Sequence, residues 1–317
     1  MRLAAGLAEG LVLLCGAAAA GVSAQSVQAF RGTTPVLDGR IDAAEWADAT
    51  VIHGSQGWMS QMSPVRDVDD LSFTVWVKHD GRRLYFAFRV RDDVLYGIDT
   101  PRWLPPDNAK AHERTREGWP WFGDEVEILL DSRRRWTGDE GAAGDGGSWQ
   151  MVCNLTKSRL GGVGKGGLME GEPRSKASAW ETYQKWIRIG AMEAAVGVRR
   201  MQSLPNGRGS ERTAGARGAA AGDDVGEGGM TGRVYEMEWA ISFDPCLEIE
   251  PGRFYSTGLG DRAFGLNLAV GDLDEPEKGR GNFGLFHHEE WWAGAKDTPT
   301  QLRSWGTLWI RTKPGPR

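Results

Sequence analysis

Alternating apolar and polar positions make residues 71–90 the clearest local signal in the chain. Residues 71–79 and 84–90 each repeat with a period of two, and Asp80-Gly81 separates them. A period of two directs one row of side chains into a core and the other toward polar surroundings, as in a β-strand. Because an Asp-Gly pair favours a tight turn between antiparallel strands, the segment predicts a β-hairpin.

The same alternation recurs along most of the chain. It covers residues 125–131, 148–156, 233–243, 264–274 and 306–312, and more weakly 186–192 and 194–201. Turn-forming Gly, Pro and Asp residues separate these segments, and no long segment has the period of a helix. We therefore predict an all-β protein of roughly eight to eleven strands, folded as an antiparallel β-sandwich or jelly roll.

A short segment before the hairpin, residues 36–49, combines two local signals. Asp38-Gly39 is typical of a turn, and Asp42 is positioned to cap a helical turn. We expect Trp46, which follows in that turn, to point into the protein.

The first residues predict a secretory signal peptide. Arg2 precedes a mostly apolar run at 11–20, and small residues lead up to Ala24. A charged start, a short apolar run and a small-residue site are typical of a peptide cleaved after Ala24, which predicts a secreted or periplasmic protein without a membrane span. We interpret residues 25–317 as one domain. A Gly/Ala-rich insertion at about 207–232 has too little apolar side chain to fold, so we expect it to be disordered.

Tryptophan is the unusual component of the composition. The chain has 15 Trp against 10 Phe and 5 Tyr, and its formal net charge is -5. Because so large a side chain is seldom fully buried, we expect some tryptophans at the surface. The negative charge gives no electrostatic basis for binding nucleic acid or an anionic membrane. Cys153 and Cys246 remain after signal cleavage, and they either form a disulfide or stay as buried thiols.

The residues before and within the strand at 125–131 point to a ligand. Trp119 and Trp121 lie beside a Pro and a Gly, and Glu125 and Glu127 follow at alternate positions of the strand. Tryptophan rings stack on the C–H faces of a pyranose, and carboxylates accept hydrogen bonds from its hydroxyl groups. This combination favours a sugar site. The alternative is that both tryptophans close one end of the hydrophobic core.

Further tryptophans supply a second candidate wall for that site. Trp291 and Trp292 lie in a late predicted loop, and Trp103 lies in a long polar loop after the hairpin. Packing within the loop is again the alternative. The tryptophans within or beside periodic segments are interpreted as structural, and these are Trp46, Trp76 and Trp239.

The predicted polar rim of the site combines carboxylates with one amide. Its members are Glu125, Glu127, Asn267, Asp272 and Asp274. Carboxylates accept hydrogen bonds, and an amide both donates and accepts them. The alternative is that the strand acids pair with arginines on neighbouring strands, such as Arg89 and Arg91.

The order of several segments resembles the family 9 carbohydrate-binding modules and the related DOMON-like sandwiches. The matching segments include Leu-Asp-Gly-Arg-Ile-Asp at 37–42 and Gly-Asp-Glu-Val-Glu at 123–127, together with 75–93, 235–241 and 265–274. The resemblance implies a secreted β-sandwich that binds saccharides without cleaving them, with a ring held between aromatic side chains. The insertion at 207–232 departs from the family pattern.

The resemblance also implies a structural calcium ion, whereas no cofactor is required for the predicted binding. Asp92 and Asp93 are the candidate ligands, and the acidic turn at 67–70 is an alternative, but neither has a full calcium-loop motif. Some DOMON-like sandwiches instead hold haem through methionine, histidine or lysine. The residues available for that role are Met151, Met237 and Lys78.

Catalysis has little support in the sequence. Two carboxylates about 5–9.5 Å apart can act on a glycosidic bond, and sequence spacing does not exclude such a pair. However, no nucleophile-elbow, triad-like or phosphate-loop motif is present. We predict a secreted, non-catalytic protein that binds a poly- or oligosaccharide. The alternatives are a haem-binding electron-transfer subunit of DOMON type and an interaction module without sugar binding.

Overall fold

The computed structural model describes residues 25–54, 59–62, 67–68, 70–95, 124–133, 148–155, 160–164, 182, 185–200, 231–273, 287–293 and 305–315. Within these ranges the chain forms fifteen β-strands. They are β1 (Ser26–Phe30), β2 (Thr50–His53), β3 (Met59–Met62), β4 (Leu71–His79), β5 (Arg83–Val94), β6 (Glu125–Asp131), β7 (Ser148–Asn154), β8 (Leu160–Gly164), β9 (Met192–Arg200), β10 (Thr231–Ser242), β11 (Glu248–Glu250), β12 (Arg253–Phe254), β13 (Arg262–Leu273), β14 (His287–Trp291) and β15 (Gly306–Arg311). The helical elements are short turns at Phe243–Cys246, Thr257–Leu259 and 185–188.

Two sheets contain most of these strands. Sheet A has eight strands in the order β1-β15-β13-β6-β7-β8, with β14 also paired to β13 and β3 paired to β14. Sheet B has five strands in the order β2-β4-β5-β10-β9, and β11 and β12 form a separate pair. Apart from the parallel pair of β1 and β15, the paired strands are antiparallel. The prediction of an all-β, antiparallel sandwich is confirmed.

One hydrophobic core lies between the two sheets. Val75 and Phe88 of sheet B and Ile128 and Leu268 of sheet A belong to it, and each has an exposed fraction of 0%. The period of two seen in the sequence accounts for this arrangement, because alternate residues of each strand face the opposite sheet. Met151 and Met237 are also part of this core.

The predicted hairpin is present as β4 and β5. Leu84 pairs with His79, and Asp80-Gly81 forms the connection. Gly81 has a φ of 101°, a conformation that L-residues with a side chain rarely adopt. The Asp-Gly signal therefore identified both the turn and the residue that permits it.

Residues 36–49 lie across the outer face of sheet B and form a second, smaller hydrophobic core with it. Ile41 and Trp46 pack against Tyr85, Ala87 and Ala240 of β5 and β10. The expected helical turn is present, since the Asp42 Oδ1 atom accepts a hydrogen bond from the Ala44 N–H at 2.7 Å. Trp46 is 2% exposed, so it points inward as predicted.

Glu238 of β10 attaches this segment to the sheet. Its Oε2 atom accepts hydrogen bonds from the backbone N–H groups of Asp38, Gly39 and Arg40 at 3.0, 2.9 and 3.2 Å. Its Oε1 atom accepts one from Trp46 Nε1 at 3.0 Å. Charge-assisted hydrogen bonds are stronger than neutral ones, and here one carboxylate satisfies four donors.

Two segments differ from the prediction. The weak strand signal at 186–192 is instead a helical turn at 185–188, followed by β9 from Met192. Residues 287–291, expected in a loop, form β14 between β13 and β3. The sequence of β14 lacks apolar alternation, so the strand is defined by backbone pairing that a sequence pattern does not reveal.

Several expectations fall in other parts of the chain. The predicted signal peptide at 1–24 and nearly all of the insertion at 207–232 lie outside the described residues, and β10 begins at Thr231. Among the described residues, no helix has the length and apolar character needed to cross a membrane. No disulfide joins Cys153 and Cys246, which are both described and buried, and burial raises the pKa of each thiol to about 12.

The contact between residues 36–49 and β9 predicts a specific cost for enlarging Gly39. A Cβ atom at Gly39 would lie 2.5 Å from the backbone carbon of Val196, and the φ of Gly39 is 76°. We expect Gly39→Ala to lower the free energy of unfolding by about 2–4 kcal/mol, which combines the left-handed backbone cost with overpacking. Urea denaturation followed by tryptophan fluorescence measures this.

The matched control is Gly252→Ala. Gly252 has a φ of 72°, but a Cβ atom there would meet nothing within 4 Å. We expect this variant to lose only the backbone term of about 1–2 kcal/mol. Equal losses in the two variants would contradict a close contact at Gly39.

Candidate functional site

The outer face of sheet A carries the polar residues that the sequence placed on the central strand. Val126 and Ile128 of β6 face the core, so Glu125 and Glu127 lie on the opposite face. Cross-strand partners share a face of a sheet, and Glu127 pairs with Val152 of β7 on one side. On the other side it pairs with Ala269 of β13.

Glu127 is hydrogen-bonded to a residue that the sequence analysis did not select. The Gln150 Nε2 atom donates to Glu127 Oε2 at 2.6 Å, and the two residues are 2% and 1% exposed. Gln150 alternates with Trp149 and Met151, which face the core. That alternation was visible in the sequence and would have assigned Gln150 to the face that also carries Glu127.

The row through Glu127 continues to the late tryptophan segment. Ala269 pairs with Trp291 of β14, so Glu127, Ala269 and Trp291 occupy one row across three strands. At a strand spacing of about 4.8 Å, the backbones of Glu127 and Trp291 are about 10 Å apart. The small side chain of Ala269 lies between them. For Trp291 it is the backbone position that the structure defines.

Asn267 holds the end of β14 in place. Its Oδ1 atom accepts hydrogen bonds from the Ala293 N–H at 2.7 Å and the Leu268 N–H at 2.9 Å. The Trp292 N–H donates to the Leu268 carbonyl oxygen at 2.9 Å. Asn267 therefore fixes the backbone that follows Trp291. The sequence predicted a different role for it, as a ligand-binding residue of the polar rim.

Trp292 does not form a wall of an open slot. It is 3% exposed and belongs to the core between the sheets, where its ring lies against Gly306. A Cβ atom at Gly306 would come within 2.6 Å of that ring. The prediction for Trp292 is corrected, because this residue leaves β14 and turns toward the core.

The polar row lies beneath the surface. Glu125, Glu127 and Asn267 have exposed fractions of 0%, 1% and 0%. The sequence analysis expected a rim open to solvent, because strand acids on a non-core face are usually solvated. The outer face of sheet A is therefore covered at these three residues.

A second group of carboxylates lies between the sheets. Asp92 of β5, Asp124 beside β6 and Asp272 of β13 each place one carboxylate oxygen within 4.8 Å of the others, and all three are fully buried. We call these residues the aspartate centre. Asp272 was expected in the sugar rim, and this is corrected, because its alternation with Leu268 and Val270 directs it toward the core.

The predicted partnership of Asp92 with Asp93 is also corrected. Consecutive residues of a strand face opposite sides, so Asp93 cannot join Asp92 at the same point between the sheets. The Asp93 N–H donates to the Asp70 carbonyl oxygen at 3.3 Å, and Asp93 is not part of the aspartate centre. Asp67 and Asp70, the described acids of the turn at 67–70, are not part of it either.

Backbone and tyrosine groups surround the aspartate centre. The Val94 N–H donates to Asp92 Oδ1 at 2.8 Å, and the Leu273 N–H donates to Asp124 Oδ1 at 3.1 Å. Tyr235 of β10 is fully buried nearby, and its hydroxyl has no hydrogen-bond partner among the described residues. Burial, followed by the charges of Asp124, Asp92 and Asp272, raises the pKa of Tyr235 well above its ordinary value.

The arginine considered as a partner for the strand acids lies on the other sheet. Arg89 Nε donates to Glu236 Oε1 at 2.7 Å on the outer face of sheet B. The proposed pairing of Arg89 with Glu125 or Glu127 is therefore wrong. Alternation assigned each side chain to a face, but it did not indicate that β5 and β6 belong to different sheets.

The residues considered for haem are engaged in packing. Lys78 is buried, and its Nζ atom donates to Asp48 Oδ1 at 2.8 Å and to Thr33 Oγ1 at 3.3 Å. Met151 and Met237 lie in the core. Trp103, Trp119, Trp121 and Asp274 of the predicted sugar site lie outside the described residues.

The described chain is thus a β-sandwich with a buried carboxylate–amide row on sheet A and an aspartate centre between its sheets. No protein-family model matches the sequence, and no curated protein matches it.

Solved structures with a similar fold include a carbohydrate binding module family 9 protein from Caldicellulosiruptor kristjanssonii in complex with glucose. It has 12% sequence identity and a TM-score of 0.48, over 92% of this chain and 99% of that chain. A family 9 module from the same organism in complex with cellotriose has 12% identity and a TM-score of 0.48, over 91% and 95%. A candidate carbohydrate-binding protein from Bacteroides uniformis has 12% identity and a TM-score of 0.44, over 90% and 99%.

The buried pair of Glu127 and Gln150 predicts a stability loss on removing the amide. In Gln150→Leu the side chain keeps its approximate size but no longer donates to the Glu127 carboxylate. Leaving a buried acceptor without its donor costs about 1–3 kcal/mol, so we expect a loss of that size in urea denaturation. Gln28→Leu, at an exposed position of β1, is the control. Equal stability of the two variants would argue against the pair as a stabilising contact.

Proposed function

We propose that this chain is a secreted, non-catalytic carbohydrate-binding protein. The observation that carries the proposal is the row of Glu127, Ala269 and Trp291 on sheet A, with Gln150 hydrogen-bonded to Glu127 at 2.6 Å. Carboxylate and amide groups recognise sugar hydroxyls, and an aromatic ring recognises the C–H face of the same sugar. Backbone positions suited to both kinds of contact therefore lie on neighbouring strands of sheet A.

The pair of Glu127 and Gln150 gives the site a defined acceptor. Because Gln150 donates to one carboxylate oxygen, the carboxylate group of Glu127 has a fixed orientation. Ala269 and the neighbouring Gly271 are small, so the sheet between Glu127 and Trp291 presents no bulky side chain. Trp121, six positions before Glu127 in the sequence, is the second aromatic residue that we assign to the site.

The burial of this row favours one alternative. In that alternative, Glu127 and Gln150, which are 1% and 2% exposed, bind no ligand and only hold sheet A together. The protein would then be an interaction module built on the same sandwich, without sugar binding. Ligand binding by the intact protein decides between the two functions.

The proposed site predicts that single tryptophan substitutions weaken sugar binding. The family 9 module from Caldicellulosiruptor kristjanssonii is described in complex with cellotriose, which makes cellotriose a suitable first probe. We expect Trp291→Ala and Trp121→Ala each to weaken binding about fivefold in isothermal titration calorimetry, since one aromatic contact contributes about 1 kcal/mol.

The control for these variants is Trp309→Ala. Trp309 pairs with Ala263, six residues along β13 from the row, and its ring lies under the Arg311 guanidinium at 4.6 Å. We expect this variant to bind as the native protein does. A native protein that binds neither cellotriose nor any oligosaccharide of a glycan array would instead support the interaction module.

We also propose that the aspartate centre holds a structural calcium ion. Ca²⁺ takes oxygen ligands at about 2.3–2.6 Å, so two ligands of one ion are at most about 5 Å apart. The three carboxylate oxygens, all within 4.8 Å of one another, meet this limit. Three buried carboxylates repel one another, and a divalent cation offsets that repulsion. Asp92 belongs to sheet B, Asp272 to sheet A, and Asp124 directly precedes β6 of sheet A, so the ion would connect the sheets.

Calcium binding predicts a thermal shift. After treatment with EDTA, addition of Ca²⁺ at about 100 times its dissociation constant stabilises a protein by about 2.7 kcal/mol, which corresponds to a rise in Tm on the order of 5–10 °C. We expect Asp124→Asn to abolish this rise in differential scanning calorimetry. Asp244→Asn, at an exposed position, is expected to retain it. A native protein whose Tm is indifferent to both EDTA and Ca²⁺ would rule out the ion.

A further inference from the structure

His79 is a buried histidine whose two ring nitrogens have different partners. It ends β4 and has an exposed fraction of 0%. Its Nε2 atom lies 2.7 Å from the Arg311 carbonyl oxygen, and its Nδ1 atom accepts a hydrogen bond from the Gly81 N–H at 3.0 Å. A carbonyl oxygen only accepts and a backbone N–H only donates, so these contacts require a neutral ring with its hydrogen on Nε2.

The backbone of His79 joins the beginning of the described chain to its end. The His79 carbonyl oxygen accepts a hydrogen bond from the Gly32 N–H at 2.8 Å, and His79 forms a parallel bridge with Arg31 after β1. The Arg31 N–H donates to the Lys313 carbonyl oxygen at 3.3 Å. The first strand, the last strand and the β4–β5 hairpin therefore meet at one residue.

Protonation of His79 would remove one of these contacts. A proton on Nδ1 turns the acceptor of the Gly81 N–H into a second donor, so two donors would face each other inside the protein. The ring also has little access to water that could solvate the new charge, and an aromatic neighbour, Phe243, lies 5.8 Å from it. Both effects oppose the charged ring.

The charged groups around His79 act in opposite directions. Burial lowers the pKa of His79 and is the largest effect; Arg31 from the segment after β1 lowers it further. The Arg311 carbonyl oxygen, Asp80 and Asp261 raise it. The net result is a pKa below the ordinary value.

Both acids near His79 are held by other partners. Asp80 accepts hydrogen bonds from the Arg82 N–H and from the Tyr85 hydroxyl, and Asp261 accepts them from Thr312. These bonds lower the pKa of both carboxyl groups. The two acids therefore keep their charge to lower pH than ordinary carboxyl groups do, and His79 is the imidazole of this cluster.

We propose that His79 is a pH-dependent contact between three strands. In its neutral form it holds the first and last described strands to the β4–β5 hairpin, and its protonation releases them. The inference is independent of carbohydrate binding, because it concerns residues of the opposite end of the fold from the Glu127 row.

The sign of the effect follows from linkage. A histidine whose pKa is lower in the folded than in the unfolded protein contributes its full stability above the unfolded value of about 6.5. That contribution is lost as the pH falls from about 6.5 through the folded pKa. In this interval the folding equilibrium constant decreases by up to about tenfold per pH unit for the single proton.

The experiment compares the intact protein with His79→Gln in urea denaturation between pH 7.5 and 5.5. Glutamine keeps a donor for the Arg311 carbonyl oxygen but does not titrate. We expect the native folding equilibrium constant to fall more than that of His79→Gln over this range, by up to about tenfold for the single proton. His53→Gln, on the exposed strand β2, is the control and is expected to retain the native pH dependence. Parallel pH profiles for the native protein and His79→Gln would overturn the proposal.

A second measurement applies even if His79→Gln does not fold. The chain has 5 His, so the imidazole signals of the native protein can be titrated individually by NMR. We expect His79 to titrate below pH 6.5, with faster amide exchange in Ser26–Phe30 as it becomes protonated. A His79 that titrates at or above about pH 6.5, or amides of β1 whose exchange does not follow that titration, would overturn the proposal.

Discussion

In β6, Val126 and Ile128 face sheet B, whereas Glu125 and Glu127 face the opposite way, and the pairing of β6 with β13 extends this division across sheet A. A strand that slipped by one residue would place both glutamates in the core. Because an ionised carboxylate in an apolar interior carries a large free-energy cost, the register of β6 is strongly determined. The polar row, the core of sheet A and the position of Asp124 all depend on it.

The buried acids of this sandwich are stabilised in three different ways. Glu238 is surrounded by backbone and indole N–H donors, and Glu236 forms an ion pair with Arg89. Glu127 relies on the neutral amide of Gln150. The aspartate centre has backbone donors to Asp92 and Asp124 and a neighbouring tyrosine. The aspartate centre brings three buried carboxylates to one point, so it is where a metal ion has most to contribute.

Local patterns in the sequence were sufficient for the long strands β4, β5, β6, β7, β10 and β13, for the Asp80-Gly81 hairpin and for the inward position of Trp46. Each depends on neighbouring residues, whose relative positions the backbone geometry fixes. The aspartate centre depends instead on which strands of two sheets lie opposite one another. Asp92 and Asp272 are far apart in the sequence, and no local pattern indicates that they converge.

Other differences arose from the side of a strand on which a residue lies. Trp291 and Trp292 were interpreted as equivalent, but Trp292 turns into the core once β14 ends. Gln150 is neither charged nor aromatic, but its alternation with Met151 places it on the face opposite the core, beside Glu127. In both cases the type of side chain was a poorer guide than its position along the strand.

The attachment of residues 36–49 has an evolutionary consequence. Glu238 accepts hydrogen bonds from backbone N–H groups of this segment, and every residue except proline has such a group. The side chains of Val36 and Arg40 are exposed and do not contribute to these hydrogen bonds. Sequence variation at Val36 and Arg40 would therefore leave these hydrogen bonds intact, whereas loss of the Glu238 carboxylate would remove them together with the one from Trp46.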